Sequence, residues 1–204
     1  GDVYKRQVDG KARFGIDVVV DNMVHAVVVR CPTIGGRLKS YDARKAKGPG
    51  VLQISAVPTG VAVIAETFWQ AKTASEQITV DWDLGPLAQW NDQTLNDGLT
   101  KALEDDGSEI VSEGNLTNAF AATGKVVEAE YRMPYLAHAP LEPVNCTVHL
   151  TKDKCTIWAP TQGAGTTQQF AVEQSGLDHD QIEVNSTMIG GSFGRKLSEM
   201  DVKE

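Results

Sequence analysis

The sequence predicts an α+β fold, and three observations carry that prediction. Short runs rich in β-branched residues recur along the chain and are typical of buried strands. Single helical segments separate strands as far as residue 83, which favours one compact mixed unit. The chain has 204 residues, of which 41% are hydrophobic and 23% charged, and this is an ordinary composition for a globular protein.

The first part of the chain is predicted to contain four strands and two helices. Ser40 as a helix cap and Gly48 as a stop predict a short helix between the first two strands. Thr67 and Gln70 have the spacing of a capping box, at the start of a helix that runs to residue 78. The predicted strands are residues 23–30, 51–55, 61–65 and 79–82.

The chain changes character at residues 84–123, which are polar and acidic and predict a connector with short helices at 91–103 and 116–122. Beyond it, alternation of polar and apolar residues predicts a half-exposed strand at 125–133. The elements predicted after that are paired strands at 145–150 and 155–160, a helix at 166–177 that stops at Gly176, and a strand at 181–188.

Charge and hydropathy exclude some classes of protein. The formal net charge is −8 and the pI is near 5.0, which argues against nucleic acid as a partner because that requires a basic face. No apolar run approaches the roughly 18 residues that a membrane span needs. Cys31, Cys146 and Cys155 are too scattered for a disulfide framework and lack a tight pair for zinc, so they are predicted to be small buried hydrophobes.

A glycine-rich loop follows the last predicted strand. It reads "IGGSFGRK" at residues 189–196, with Gly190, Gly191 and Gly194 around Phe193, and we call it the glycine loop. It matches neither the P-loop spacing nor the dinucleotide fingerprint. By itself the pattern favours a tight turn. Its place after a strand, with a basic pair in it, also allows the edge of a ligand site.

Three segments occur in an order and spacing that resemble the molybdopterin-binding large subunit of the xanthine dehydrogenase and aldehyde oxidase family. They are "YLAHAPLEPVNCTVHL", "IWAPTQGAGTTQQFAVEQSGL" and "MIGGSFGRK". "HAPLEP" and "WAPTQG" are most similar to the isoquinoline oxidoreductase beta branch. The resemblance covers nearly all of residues 8–204. It implies an α/β hammerhead domain at 8–83, a helical connector at 84–123 and the beginning of a molybdopterin-binding domain at 124–204.

The resemblance implies a molybdenum–molybdopterin cofactor in its cytosine dinucleotide form. Gln162 matches the glutamine whose side-chain amide hydrogen-bonds the apical oxo group, and a neutral amide donates without adding charge. Phe193 and Gly194 match the pair whose backbone lies against the cofactor, and Gly191 belongs to the same loop. Glycine permits such an approach because it has no Cβ. No residue of this chain is expected to ligate the metal.

The activity implied by the resemblance is hydroxylation of an aromatic N-heterocycle or an aldehyde with oxygen from water. Electrons would leave through two two-iron two-sulfur clusters on a small partner subunit. The xanthine-oxidising branch has a glutamate after the basic residue, whereas Leu197 follows Lys196 here, so xanthine is not expected as a substrate. The catalytic glutamate of the family lies further along its chain than Glu204. The compartment stays open between periplasm and cytoplasm, and the branch resemblance slightly favours the periplasm.

Both ends of the chain are expected to be cut. Residues 1–7 resemble a non-native leader, and we expect a fragment of a longer enzyme that is inactive by itself. The alternative function is a non-catalytic binding or assembly module in which the glycine loop is only a turn. Glu142 is predicted to be a buried hydrogen-bonding residue and His138 a packed one, rather than catalytic groups.

Overall fold

The computed structural model describes residues 2–197 and shows a mixed α and β protein. The helices are α1 (Asp2–Val8), α2 (Phe68–Ser75), α3 (Asp92–Ala102), α4 (Leu116–Ala122) and α5 (Ala164–Ser175). The strands are β1 (His25–Arg30), β2 (Arg37–Asp42), β3 (Val51–Val57), β4 (Gly60–Ala65), β5 (Thr79–Asp83), β6 (Thr147–Leu150), β7 (Cys155–Ala159) and β8 (Ile182–Ser186). The chain divides into two compact units, one formed by residues up to 86 and from 137 onward, the other by residues 87–136.

The first sheet of the larger unit has the strand order β1-β4-β3, with both pairs antiparallel. Val61 and Val63 on the central strand β4 are fully buried. Helix α2 packs on this sheet through Ala71 and Ala74, which join the same core. The capping box predicted at the start of α2 is confirmed, because Thr67 accepts a hydrogen bond from the backbone of Gln70, whose side chain reaches back to residue 67.

The helix predicted after Ser40 is wrong. Residues 37–42 form β2, which pairs antiparallel with β5 and places Ser40 opposite Asp81. A short turn follows, in which Asp42 accepts hydrogen bonds from the backbone and side chain of Arg44. Pairing with a strand about forty residues away along the chain outweighs the local helical signal, which for so short a segment is weak.

The sheet that carries the candidate site has the strand order β6-β7-β8. Strands β6 and β7 form the predicted antiparallel pair, whereas β7 and β8 are parallel and joined through α5. Gly176 ends α5 in the left-handed conformation, at φ 70°. The core of this sheet consists of Cys155, Ile157, Ala159 and Ile182. Burial raises the pKa of the Cys155 thiol, in keeping with its predicted role as a buried hydrophobe.

The smaller unit, residues 87–136, contains α3 and α4, as predicted. Both helices begin at an asparagine cap, Asn91 and Asn115. The strand predicted at residues 125–133 is wrong, because this segment forms neither helix nor strand and is exposed throughout. An alternating pattern yields a strand only where another strand pairs with its backbone, and residues 2–197 provide none for it.

Two further features concern the helices. Helix α1 occupies a stretch for which the sequence predicts no element. Within the described residues, no helix has the length and apolar character that crossing a membrane would require.

Candidate functional site

The candidate site lies at the edge of the sheet where β7 and β8 both end. The register places Ala159 opposite Ser186, and the backbone N–H of Thr187 donates to the Ala159 carbonyl at 3.1 Å. Because parallel strands end at the same edge, the segments that follow them meet there. Gln162 lies just beyond β7, and the glycine loop follows β8.

Glu142 lies beneath the glycine loop and joins three parts of the unit. Its carboxylate accepts two hydrogen bonds on each oxygen. Oε2 accepts from the Gly190 backbone at 2.7 Å and from Lys196 Nζ at 2.6 Å. Oε1 accepts from the Ile16 backbone and from Asn145 Nδ2, both at 3.3 Å. The Glu142 backbone N–H in turn donates to the Gly190 carbonyl at 3.0 Å.

The ion pair between Glu142 and Lys196 is buried, with only 4% and 1% of the two side chains exposed. Burial acts to raise the pKa of the Glu142 carboxyl. The hydrogen bonds from Lys196, Gly190, Asn145 and Ile16 outweigh this effect and hold that pKa below its ordinary value. The carboxylate is therefore ionised at neutral pH, and the predicted structural role of Glu142 is confirmed.

The backbone of the glycine loop is held in conformations that glycine favours. Gly191 and Gly194 have φ of 94° and 93°, and Phe193, a non-glycine residue, has φ of 54°. A Cβ at Gly190 would lie 2.5 Å from the Glu142 Cβ, so the close approach to Glu142 needs a glycine there. Phe193 as a whole residue is 76% exposed. The loop is thus an outward-facing turn fixed from below.

Gln162 is attached to the glycine loop by two hydrogen bonds. Its backbone N–H donates to the Lys196 carbonyl at 3.0 Å. Its side-chain Oε1 accepts from the Ser192 hydroxyl, across 30 residues of sequence. The same hydroxyl accepts from the Lys196 backbone N–H at 3.0 Å. Among residues 2–197, no acceptor is found for the Gln162 Nε2 group, which therefore remains available as a donor.

The sequence placed Gln162, Gly191, Phe193 and Gly194 at one site, and the structure brings them to one edge of the sheet. His138 is exposed rather than packed as predicted. The sequence did not predict the ion-pair partner of Glu142 or a role for Ser192. A signal for the first did exist, since a carboxylate predicted to be buried needs a cationic partner, and Lys196 lies in a motif of the same resemblance.

Comparison with known proteins gives a family match, curated relatives and solved structures of the same fold. A family model described as "Molybdopterin cofactor-binding domain" matches residues 102–203, half of the chain. Isoquinoline 1-oxidoreductase subunit beta from Brevundimonas diminuta is 27% identical over 202 residues, a match that covers 94% of this chain and 26% of that protein.

Two solved structures show the same fold. Reconstituted CO dehydrogenase from Oligotropha carboxidovorans matches with a TM-score of 0.72 at 20% identity, over 98% of this chain and 31% of that one. Quinoline 2-oxidoreductase from Pseudomonas putida 86 matches with a TM-score of 0.69 at 18% identity, again over 98% of this chain and 31% of that one. The chain therefore spans between about a quarter and a third of the length of these relatives.

Proposed function

The chain belongs to the molybdopterin cofactor-binding family, and on this premise we propose that Gln162 and the glycine loop form one wall of the cofactor site in a molybdenum hydroxylase. The observation that carries the proposal is their junction. Two hydrogen bonds join Gln162 to residues of the loop about thirty positions away, at the edge where two parallel strands end. Ligand sites of α/β sheets are commonly found at such edges.

The groups at this edge fit an oxygen-rich cofactor. Among residues 2–197, the backbone N–H groups of Gly191, Phe193 and Gly194 have no protein acceptor. Backbone N–H groups and a side-chain amide are neutral donors, which suits oxo, dithiolene and pterin groups that already carry negative charge. The positive φ angles at all three residues hold the loop backbone in one outward-facing conformation.

When bound, the cofactor supplies the two-electron redox chemistry that hydroxylates a carbon with oxygen from water. The part of this chain is to bind and orient it. We propose that Gln162 would donate from Nε2 to an oxygen of the cofactor, and that Gly191, Phe193 and Gly194 would present their backbone to it. The buried Glu142–Lys196 pair holds the loop from below.

The domains, cofactor form, partner and substrate that we propose for the whole enzyme are those of the family. Residues 8–83 form an α/β hammerhead domain, residues 84–123 a helical connector and residues 124–204 the beginning of the cofactor domain. The cofactor is in the cytosine dinucleotide form. The partner is a small subunit with two two-iron two-sulfur clusters. The substrate is an aromatic N-heterocycle or an aldehyde, and an exposed leucine at 197, which cannot hydrogen-bond a purine, disfavours xanthine.

The experiment compares Gln162→Ala with the wild type in the assembled enzyme. We expect turnover to fall by on the order of 100-fold, the size seen when one donor to a developing charge is removed, with little change in thermal stability. Gln169→Ala is the matched control, because the side chain of this exposed glutamine of α5 has, among residues 2–197, Glu173 on its own helix as its hydrogen-bond partner. Molybdenum and the released nucleotide are measured in each preparation.

The alternative, a non-catalytic module whose glycine loop is only a turn, predicts a different outcome. Purified wild-type enzyme would then contain no stoichiometric molybdenum. Equal and mild effects of Gln162→Ala and Gln169→Ala would reduce Gln162 to a surface residue. Either result would overturn the proposed function of this site.

A further inference from the structure

The Ser192 hydroxyl occupies the centre of the junction between Gln162 and the glycine loop. It donates to Gln162 Oε1 and accepts from the Lys196 backbone N–H. A hydroxyl has one hydrogen to donate, and within the described residues Gln162 Oε1 is its acceptor. A flipped amide would leave this hydrogen without a protein acceptor, so Ser192 favours the orientation in which Gln162 Oε1 faces the loop.

The remaining end of that amide is the donor. With Oε1 held by Ser192, the Nε2 group of Gln162 points away from the hydroxyl and finds no acceptor within residues 2–197. An amide without such a contact can rotate by 180° and exchange a donor for an acceptor at little cost. The serine contact favours one of these two orientations before any ligand binds, which is preorganisation of a single hydrogen bond.

The position of Ser192 is itself held. Its carbonyl accepts from the Arg195 N–H at 3.0 Å, and its hydroxyl is bonded to the backbone of Lys196, whose side chain is anchored on Glu142. The Gln162 backbone is tied to the Lys196 carbonyl at 3.0 Å. Ser192 and Gln162 are thus both hydrogen-bonded to the backbone of Lys196. These bonds hold the two residues next to each other without any ligand.

We propose that Ser192 is a positioning residue, which sets the Gln162 amide so that Nε2 is the group presented to the cofactor. The proposal rests on the proposed function of this site. It implies that the orientation of Gln162 depends on the hydroxyl at position 192 and on no other property of that side chain. A threonine at position 192 should therefore preserve the orientation of the Gln162 amide, whereas an alanine should not.

The experiment uses the assembled enzyme with Ser192→Ala and Ser192→Thr. Ser186→Ala is the matched control, because it makes the same change at an exposed position at the end of β8. Three readouts are taken: molybdenum content by elemental analysis, the Mo(V) electron paramagnetic resonance signal after partial reduction with dithionite, and the Mo=O stretching band in the resonance Raman spectrum. None of the three needs a substrate.

We expect Ser192→Ala to retain molybdenum while its Mo(V) g values and Mo=O band shift towards those of Gln162→Ala. Ser192→Thr and Ser186→Ala should match the wild type. Spectra of Ser192→Ala that equal the wild type, while those of Gln162→Ala differ, would overturn this inference and leave the proposed function standing. Absence of molybdenum from the wild-type enzyme would overturn the proposed function, and this inference with it.

Should Ser192→Ala lose molybdenum, a crystal structure of the variant decides the matter. A Gln162 amide that has turned away or become disordered, above an unchanged glycine loop, agrees with the proposal. A collapsed loop with Gln162 in its wild-type orientation contradicts it, because Ser192 would then support the fold of the loop and not the direction of the amide.

Discussion

Replacing Glu142 by glutamine tests whether this carboxylate fixes the glycine loop. Each carboxylate oxygen accepts two donors, so four hydrogen bonds converge on the side chain. Glutamine has the same shape but offers only one oxygen. Whichever way the amide is turned, two of the four hydrogen bonds are lost and their donors face an NH₂ group. With the oxygen in the Oε2 position, the Ile16 backbone N–H loses its acceptor, and Asn145 Nδ2 keeps only its hydrogen bond to the Pro143 carbonyl.

The cost follows from this count. A buried donor left unsatisfied costs about 1–3 kcal/mol. The Lys196 ammonium also loses its counter-charge, and breaking one partner of a buried pair typically costs about 3–5 kcal/mol. We expect Glu142→Gln to lower the free energy of unfolding by an amount in this second range, measured by urea denaturation with tryptophan fluorescence.

Glu183→Gln provides a matched control within the same unit. Glu183 pairs with Lys154 at 2.5 Å, but both side chains are about half exposed. Exposed pairs contribute little, so this variant should unfold close to the wild type. Adding Lys196→Met to Glu142→Gln should recover part of the loss by removing the unpaired ammonium. Equal stability of Glu142→Gln and Glu183→Gln would refute the reasoning.

Further predictions concern packing, acid stability and the isolated chain. Gly190→Ala should destabilise by about 1–3 kcal/mol in urea denaturation, because its Cβ meets the Glu142 Cβ, whereas Gly98→Ala in α3, with open space around it, should stabilise slightly. The lowered pKa of the Glu142 carboxyl stabilises the fold at pH values above the ordinary glutamate pKa of about 4.3. This contribution is lost as the pH falls through the lower pKa of the folded state. The difference in unfolding free energy between wild type and Glu142→Gln should therefore narrow in acid titrations. The purified chain Gly1–Glu204 should retain no stoichiometric molybdenum by elemental analysis, since it spans about a quarter of its relative's length. A stoichiometric metal content there would contradict the last prediction.

Local sequence patterns correctly predicted the helix ends and the hairpin that depend on residues close together in the chain. The capping box at Thr67 predicted the start of α2, and the stop at Gly176 predicted the end of α5, because both depend on hydrogen bonds or backbone angles within one turn. The β6–β7 pair was also predictable, since a short turn joins its strands. The last two of these correct predictions belong to the sheet that carries the candidate site and to the helix that joins its parallel strands.

The errors fall where distant pairing decides the structure. Residues 37–42 form a strand because β5 pairs with them, and residues 125–133 do not form one because no strand within residues 2–197 does. The partner of Glu142 was missed for the same reason, since Lys196 is 54 residues away in sequence. Resemblance to a family indicated Gln162 and the glycine loop, but the hydrogen bond between Ser192 and Gln162 became visible only in the folded structure.

The span of the Glu142–Lys196 contact also bears on the order of folding. The crossover from β7 through α5 to β8 closes over residues 155–186, whereas the ion pair joins residues outside both ends of it. Because the loop-closure entropy must be lost before a non-local contact forms, we expect this contact to form late in folding. We therefore expect Glu142→Gln to act mainly by accelerating unfolding in stopped-flow experiments, with the refolding rate little changed. The glycine loop would then be among the last parts of the unit to become ordered.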